Sequence, residues 1–153
     1  MAYVTGGGAD AGATGHDCPF CRIPTLDDVA GLIVARGTLV YAVLNLFPYN
    51  PGHLMVVPYH HIPDYTELVP AEMTEFSEFT SRAMTVLRNV SGPHGFNVGM
   101  NAGASAGAGI AAHLHQHVVP RWGGDANFMP VIGATKVLPQ LLAETRGLLA
   151  AAW

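Results

Sequence analysis

Three histidines stand at every second position in the run His113-Leu114-His115-Gln116-His117-Val118-Val119-Pro120. Side chains alternate faces along an extended chain, so this spacing predicts a strand over 113–120 with His113, His115 and His117 on one side and Leu114, Gln116 and Val118 on the other. At about 3.3 Å per residue the outer two Cα atoms lie roughly 13 Å apart, too far for one metal to gather all three rings unless the strand bends sharply. The three are therefore expected to have separate roles. Such a strand needs neighbours to complete its ladder and a layer to cover its apolar face.

The rest of the chain supplies both. Residues 38–44 (TLVYAVL) and 53–58 (HLMVVP) are short runs of β-branched and aromatic residues separated by the turn-rich FPYNPG, and read as a pair of strands. From Pro70 to Asn89 the apolar residues Met73, Phe76, Phe79, Ala83, Met84 and Leu87 recur at steps of three and four, with Glu72, Glu75 and Glu78 toward the N-terminal half, which predicts an amphipathic helix. Ser91-Gly92-Pro93 ends it. A strand over 96–101, a Gly/Ala loop to Ala112, the histidine strand and a Leu/Ala-rich helix over 138–152 complete the order. The expectation is an α+β fold, an antiparallel sheet of about five strands with one long packed helix and a C-terminal helix. Residues 1–15, rich in Gly and Ala and without periodicity, are expected to form a flexible leader, and 16–153 a single domain with a helical tail.

Composition narrows the chemistry. Eight histidines stand against seven Lys plus Arg, and Lys136 is the only lysine. No G-x-x-x-x-G-K-[ST] loop is present, so an anionic substrate has to be held by backbone N–H groups and imidazoles. A net charge of −4 gives no broad basic face for nucleic acid. No apolar run reaches the roughly 20 residues of a membrane span, and no Lys or Arg precedes Arg22 as it would in a secretion signal. A cytoplasmic protein with a small-molecule partner is expected.

The run HLHQHVV resembles the His-φ-His-φ-His-φ-φ signature of the histidine triad (HIT) family, with Gln116 where an apolar residue is usual. NLFPYNPGH followed by LMVVP is similar to the family's nucleoside-binding strand pair, and PRWGGD to the PRxxGD ending of its Fhit-like branch. The resemblance implies that His115 is a nucleophile attacking the α-phosphorus of a nucleotide and forming a nucleotidyl-histidine. His113, His117 and His53 would orient that ring and stabilise or protonate phosphate oxygens. It further implies that Asn45 binds ribose, that Val43 and Met55 flank the base or else simply pack the core, and that the molecule is a homodimer. In the loop before the triad, Gly107, Ala108 and Gly109 are expected to cradle phosphate, with Asn101 as a polar contact. The Gln that commonly follows the loop glycine is missing. Trp122 is expected either to stack on a base or to seal a dimer contact. PRWGGDANF and the long tail resemble actinobacterial members that phosphorolyse diadenosine tetraphosphate, which makes dinucleoside polyphosphates the expected substrates and leaves water or phosphate open as acceptor. A Hint-like phosphoramidase and a non-catalytic nucleotide-binding module are the alternatives.

Cys18-Pro19-Phe20-Cys21 is the sole cysteine pair. By spacing alone it suits zinc, a redox dithiol or a disulfide. The family resemblance implies a structural Cys2His2 zinc site of Cys18, Cys21, His61 and His113, with neighbouring His60 as a substitute for His61. Such a site would pin the N-terminal segment to the triad strand. A serine-hydrolase elbow is formally matched by Gly103-Ala104-Ser105-Ala106-Gly107. It fails because no acidic residue lies between Ser105 and His117 and no histidine follows His117. A catalytic zinc held by His113 and His115 is a further rival.

Overall fold

The computed structural model describes residues 17–125 and 141–153. The expected leader 1–15, His16, Lys136, the ANF of PRWGGDANF and the first residues of the expected tail helix lie outside the described residues. Strands β1 (Ile33–Arg36), β2 (Val40–Leu44), β3 (Leu54–Pro58), β4 (Gly95–Met100) and β5 (Gln116–Arg121) form one sheet in the order β1-β2-β3-β5-β4. Every neighbouring pair is antiparallel. Helix α1 (Pro19–Arg22) is a single turn at the cysteine pair, α2 (Pro70–Ser91) is the long helix, and α3 (Leu142–Ala151) is the tail helix.

Alternation in the strands sorts the core into two layers. Ala42, Leu44, Leu54 and Val118 pack with Ala83, Val86 and Leu87 of α2. Ile33, Tyr41, Val43, Met55 and Val57 form the other layer, beneath Cys18 and Phe20. Pro70 starts α2 with its fixed φ, and the Glu72 carboxylate returns to accept from the Val69 N–H at 3.0 Å. Gly92 ends the helix at φ 55°, a left-handed conformation that costs glycine least. Helix α3 closes on the β1 edge, where Arg146 Nε donates to the Ile33 carbonyl at 2.8 Å and Leu149 enters the core. The opposite edge, β4, carries Val98 at 44% exposure.

Two expectations need correction. Strand β1 was not among the elements anticipated, although Ile33-Val34 supplied the β-branched signal. The strand expected over 113–120 begins only at Gln116. The register sets Leu54 opposite Val118 and Val56 opposite Gln116, so its continuation would put Leu114 opposite Pro58, which has no N–H to give the ladder. Instead the Leu114 N–H reaches past β3 to the Ile62 carbonyl at 2.6 Å. His113 and His115 thus sit in non-strand backbone just before β5.

The PRWGGD ending is a clasp. Arg121 grips both oxygens of Asp125, at 2.6 and 2.7 Å, and Asn50 Nδ2 bridges the Asp125 carboxylate and the Pro120 carbonyl. These bonds, with that from the Trp122 N–H, hold the Asp125 carboxyl well below the usual carboxylate range.

Candidate active site and metal-binding cluster

The early end of the ladder separates the three imidazoles. His113 Nε2 meets the Pro58 carbonyl at 2.9 Å, and a carbonyl only accepts, so that nitrogen carries the proton. Its Nδ1 is left as a lone pair. It lies 3.3 Å from Cys18 Sγ, 3.6 Å from Cys21 Sγ and 3.2 Å from His61 Nδ1, and Cys21 Sγ is 3.3 Å from His61 Nδ1. Ligand atoms of all four residues fall within 4.8 Å of one another. Around a tetrahedral zinc, with bonds of about 2.3 Å to sulfur and 2.0–2.1 Å to nitrogen, such atoms stand roughly 3.3–3.8 Å apart. The donor set therefore fits a closed metal site, and the proton donated to Pro58 supplies the outer-shell bond that fixes a ligating imidazole. His60 is not part of it, because its Nδ1 pairs with Glu72 Oε1 at 3.2 Å. Burial, and secondarily the neighbouring Cys18 thiol, push the Cys21 thiol up to about 11.

His115 donates Nδ1–H to the carbonyl of His113 at 2.8 Å. In the neutral ring Nε2 is then an unprotonated lone pair. Phe20 lies over this imidazole with centroids 4.7 Å apart, and His117 meets it edge-on at 5.1 Å. Burial lowers the His115 pKa, while the bond to the His113 carbonyl works the other way.

His117 and His53 form a directed chain. The Tyr49 N–H donates to His53 Nδ1 at 3.1 Å, which makes that nitrogen an acceptor and puts the proton on Nε2. His53 Nε2 is 2.9 Å from His117 Nδ1, so His53 donates and His117 keeps its own proton on Nε2. Burial, and next His115, lower the His117 pKa to about 4, so this ring is neutral near pH 7. A bare nitrogen on His115 and an N–H on His117 thus stand side by side, each selected by a main-chain group. Gly99, the β4 partner of His117, leaves open space there.

The other anticipated residues are placed less uniformly. Asn45 ends β2 with Nδ2 3.5 Å from His53 Nδ1, and its Oδ1 accepts from the Phe47 N–H. Asn101 Nδ2 closes the loop onto the Gly107 carbonyl at 3.4 Å. The Gly107 N–H is already given to Ala104, whereas Ala108 and Gly109 donate no main-chain hydrogen bond among the described residues. Val43 is fully buried and Met55 nearly so, both packed with Phe20, which is the core-packing alternative. Trp122 lies five residues beyond His117, about 16 Å along the strand, and its Nε1 points to the Ser91 carbonyl at the end of α2. That places it away from the imidazoles of its own chain. Phe20, Tyr49 and the Pro58 carbonyl were not foreseen. Phe20 was visible inside the cysteine motif, but its proximity to His115 depends on a turn no local pattern announces.

The HIT domain profile matches residues 29–124. The chain belongs to the HIT family. This HIT protein is 62% identical over 135 residues to AP-4-A phosphorylase of Mycobacterium tuberculosis, a match covering 88% of this chain and 69% of that one. It is 31% identical over 97 residues to the asymmetrical bis(5'-nucleosyl)-tetraphosphatase of Schizosaccharomyces pombe, covering 63% and 53% of the two. Among solved structures, a Zn-bound histidine triad family protein from Mycobacterium smegmatis superposes with a TM-score of 0.71 at 26% identity, covering 91% of this chain and 94% of that one. No helix of the described residues is long and apolar enough to cross a membrane.

Proposed function

We propose that this HIT enzyme cleaves dinucleoside polyphosphates by two-step nucleotidyl transfer through His115, with inorganic phosphate as the acceptor. The observation that carries the reading is the His115 Nδ1–H bond to the His113 carbonyl, which leaves Nε2 as a lone pair in the ring. In the first step Nε2 forms a bond to the α-phosphorus and the bond to the bridging oxygen breaks, releasing the other nucleoside with its remaining phosphates, a nucleoside triphosphate from diadenosine tetraphosphate, which leaves with the electron pair. His113 bears on this step through its carbonyl, which receives the Nδ1–H as the ring gains positive charge. In the second step phosphate oxygen displaces the histidine and restores its lone pair.

His117 stabilises the developing charge as a hydrogen-bond donor. A neutral imidazole does not surrender its Nε2 proton, and the leaving polyphosphate is already a stable anion, so donation without transfer suffices. His53 keeps that donor pointed outward from His117. Asn45 contacts ribose, Met55 backs the base from the edge of the core, and Asn101 with the loop at Gly107, Ala108 and Gly109 faces the phosphates. Cys18, Cys21, His61 and His113 would hold zinc, which contributes folding energy and rigidity. The 62% identity to a named AP-4-A phosphorylase supports the substrate class and favours phosphate over water.

The test is a single-turnover reaction with diadenosine tetraphosphate, quenched and digested, together with turnover in labelled phosphate. An adenylyl adduct on His115 and labelled ADP are expected. An adduct on another side chain overturns the nucleophile, and unlabelled AMP overturns the acceptor.

The pH profile is a second expected outcome. With the His115 and His117 pKa values both lowered by burial, both rings stay neutral below the ordinary histidine value. The rate should stay level as pH falls through about 6.5 and decline only below it, once the lowered His115 value is reached. Stability should fall in the same window, because the unfolded chain takes up a proton at His117 between about 6.5 and 4 and the folded chain does not. Rate profiles and thermal melts between pH 4 and 8 check both.

The homodimer expected from the family finds its natural surface at β4, an edge strand whose central Val98 is exposed. Antiparallel pairing of β4 with its own copy would satisfy a two-fold axis. Val98→Glu is expected to shift the protein to monomer in sedimentation analysis while the wild type sediments as a dimer.

A further inference from the structure

Phe20 and the thiols that flank it lie outside the reacting groups, yet Phe20 touches the proposed nucleophile and the thiols touch His113 beside it. The Phe20 carbonyl accepts from the Tyr41 hydroxyl at 2.8 Å, and Cys18 and Cys21 on either side belong to the four-residue donor cluster. The Phe20 ring, almost wholly buried, lies 4.7 Å from His115 and 5.5 Å from His113. The cluster also fixes His113, whose carbonyl holds His115 Nδ1.

We propose that the turn Cys18–Cys21 is a positioning device for the nucleophile, with Phe20 as its contact on the His115 ring. The inference rests on His115 being the nucleophile. A ring tethered by one hydrogen bond at Nδ1 can still tilt about that bond, and a tilt swings Nε2 off the line of attack. Two further contacts oppose the tilt, the His117 edge and the Phe20 ring. His117 is on β5, inside the sheet, whereas Phe20 is on a single helical turn too short to hold its place alone. Its anchors are the Tyr41 hydroxyl and the two thiols. In-line displacement is sensitive to sub-ångström misplacement, so loss of this contact acts on the chemical step and leaves substrate affinity largely alone. Phe20 is a positioning residue in this scheme, and His61 and the two cysteines act through it and through His113.

The experiment compares wild type, Phe20→Ala and Phe20→Leu, each purified with its metal, for metal content, kcat and KM, the single-turnover rate of adduct formation, and the imidazole ¹⁵N signals of His115. For Phe20→Ala, adduct formation and kcat should fall about tenfold or more with KM within threefold, metal content should match the wild type, and the His115 ring signals should broaden or shift while the Nδ1–H tautomer persists. Phe20→Leu, which keeps a bulky apolar contact, should recover much of the rate and of the wild-type ring signals. Should Phe20→Ala fail to fold, the Phe20→Leu and wild-type readings still decide, because an intermediate adduct rate with unchanged KM is required of it. A raised KM with unchanged kcat would make Phe20 a substrate wall and overturn the proposal, as would loss of metal from either variant or an unchanged adduct rate. An adduct still forming on His115 at the wild-type rate refutes positioning and leaves the mechanism standing, while no adduct on His115 in the wild type refutes the mechanism itself.

Discussion

Replacing His115 by asparagine is expected to lower turnover of diadenosine tetraphosphate by on the order of 10⁴-fold or more, with nucleotide binding retained. The asparagine amide nitrogen stands where Nδ1 stood and can still donate to the His113 carbonyl, so the local backbone is held although the ring contact with Phe20 is lost. What disappears is the unprotonated Nε2 that the Nδ1–H bond to the His113 carbonyl leaves in the ring. His117 cannot substitute, since its Nδ1 is occupied by His53 Nε2 and its Nε2 carries a proton. His113 cannot either, because one nitrogen is bonded to Pro58 and the other lies among the thiols. Steady-state kinetics paired with a nucleotide titration check this. A variant that keeps more than a few per cent of wild-type turnover would move the chemistry to another side chain, and a variant that binds but does not turn over separates catalyst from sensor.

Removing the metal is expected to have the largest effect on stability. A cross-link joining residue 18 to residue 113 restrains the unfolded chain over almost a hundred residues. By analogy with other native cross-links its loss costs about 3–5 kcal/mol, or about 6–20 °C in Tm for a chain of this length. The loss carries a pH signature. Burial and the adjacent thiol hold Cys21 protonated up to about 11 in the metal-free protein, so binding must expel protons and the apparent affinity falls as pH is lowered. Zinc titrations at several pH values, with melts before and after chelation, measure both. Cys18→Ser or Cys21→Ser should reproduce the chelated Tm, and a melt unchanged by chelator would mean that the cluster holds no ion of consequence.

Much of the fold was legible in the chain. The three-and-four periodicity of Met73 to Leu87 located α2, and the β-branched runs located β2 and β3, because each side chain there is decided by a single layer of packing. Strand β1 escaped because it is four residues long and takes its place from β2 and from the α3 contact at Ile33, both distant in sequence. The alternating histidines signalled three rings with three roles and hid the reason, since the strand was expected to run straight through 113–120. The interruption depends on which residue faces Leu114, and register is a property of two strands together. The Cys18, Cys21, His61 and His113 grouping came from family resemblance, and the four donor atoms do converge. The choice between His60 and His61 rested on a partner for His60, Glu72, that only the packed helix provides. Val43 and Trp122 mark the limit on the other side. Their residue types suit base contacts, but one is sealed in the core and the other leans on the end of α2.

The main-chain atoms that choose the protonated nitrogens, the carbonyls of Pro58 and His113 and the amide of Tyr49, belong to the scaffold. No side-chain replacement deletes these groups, save proline at position 49, which would remove the amide N–H. Exchanging the residues that line the pocket can therefore retune which nucleotide enters while the division of labour among the imidazoles persists, and descendants of this sheet are free to diverge in diet without having to reinvent their chemistry.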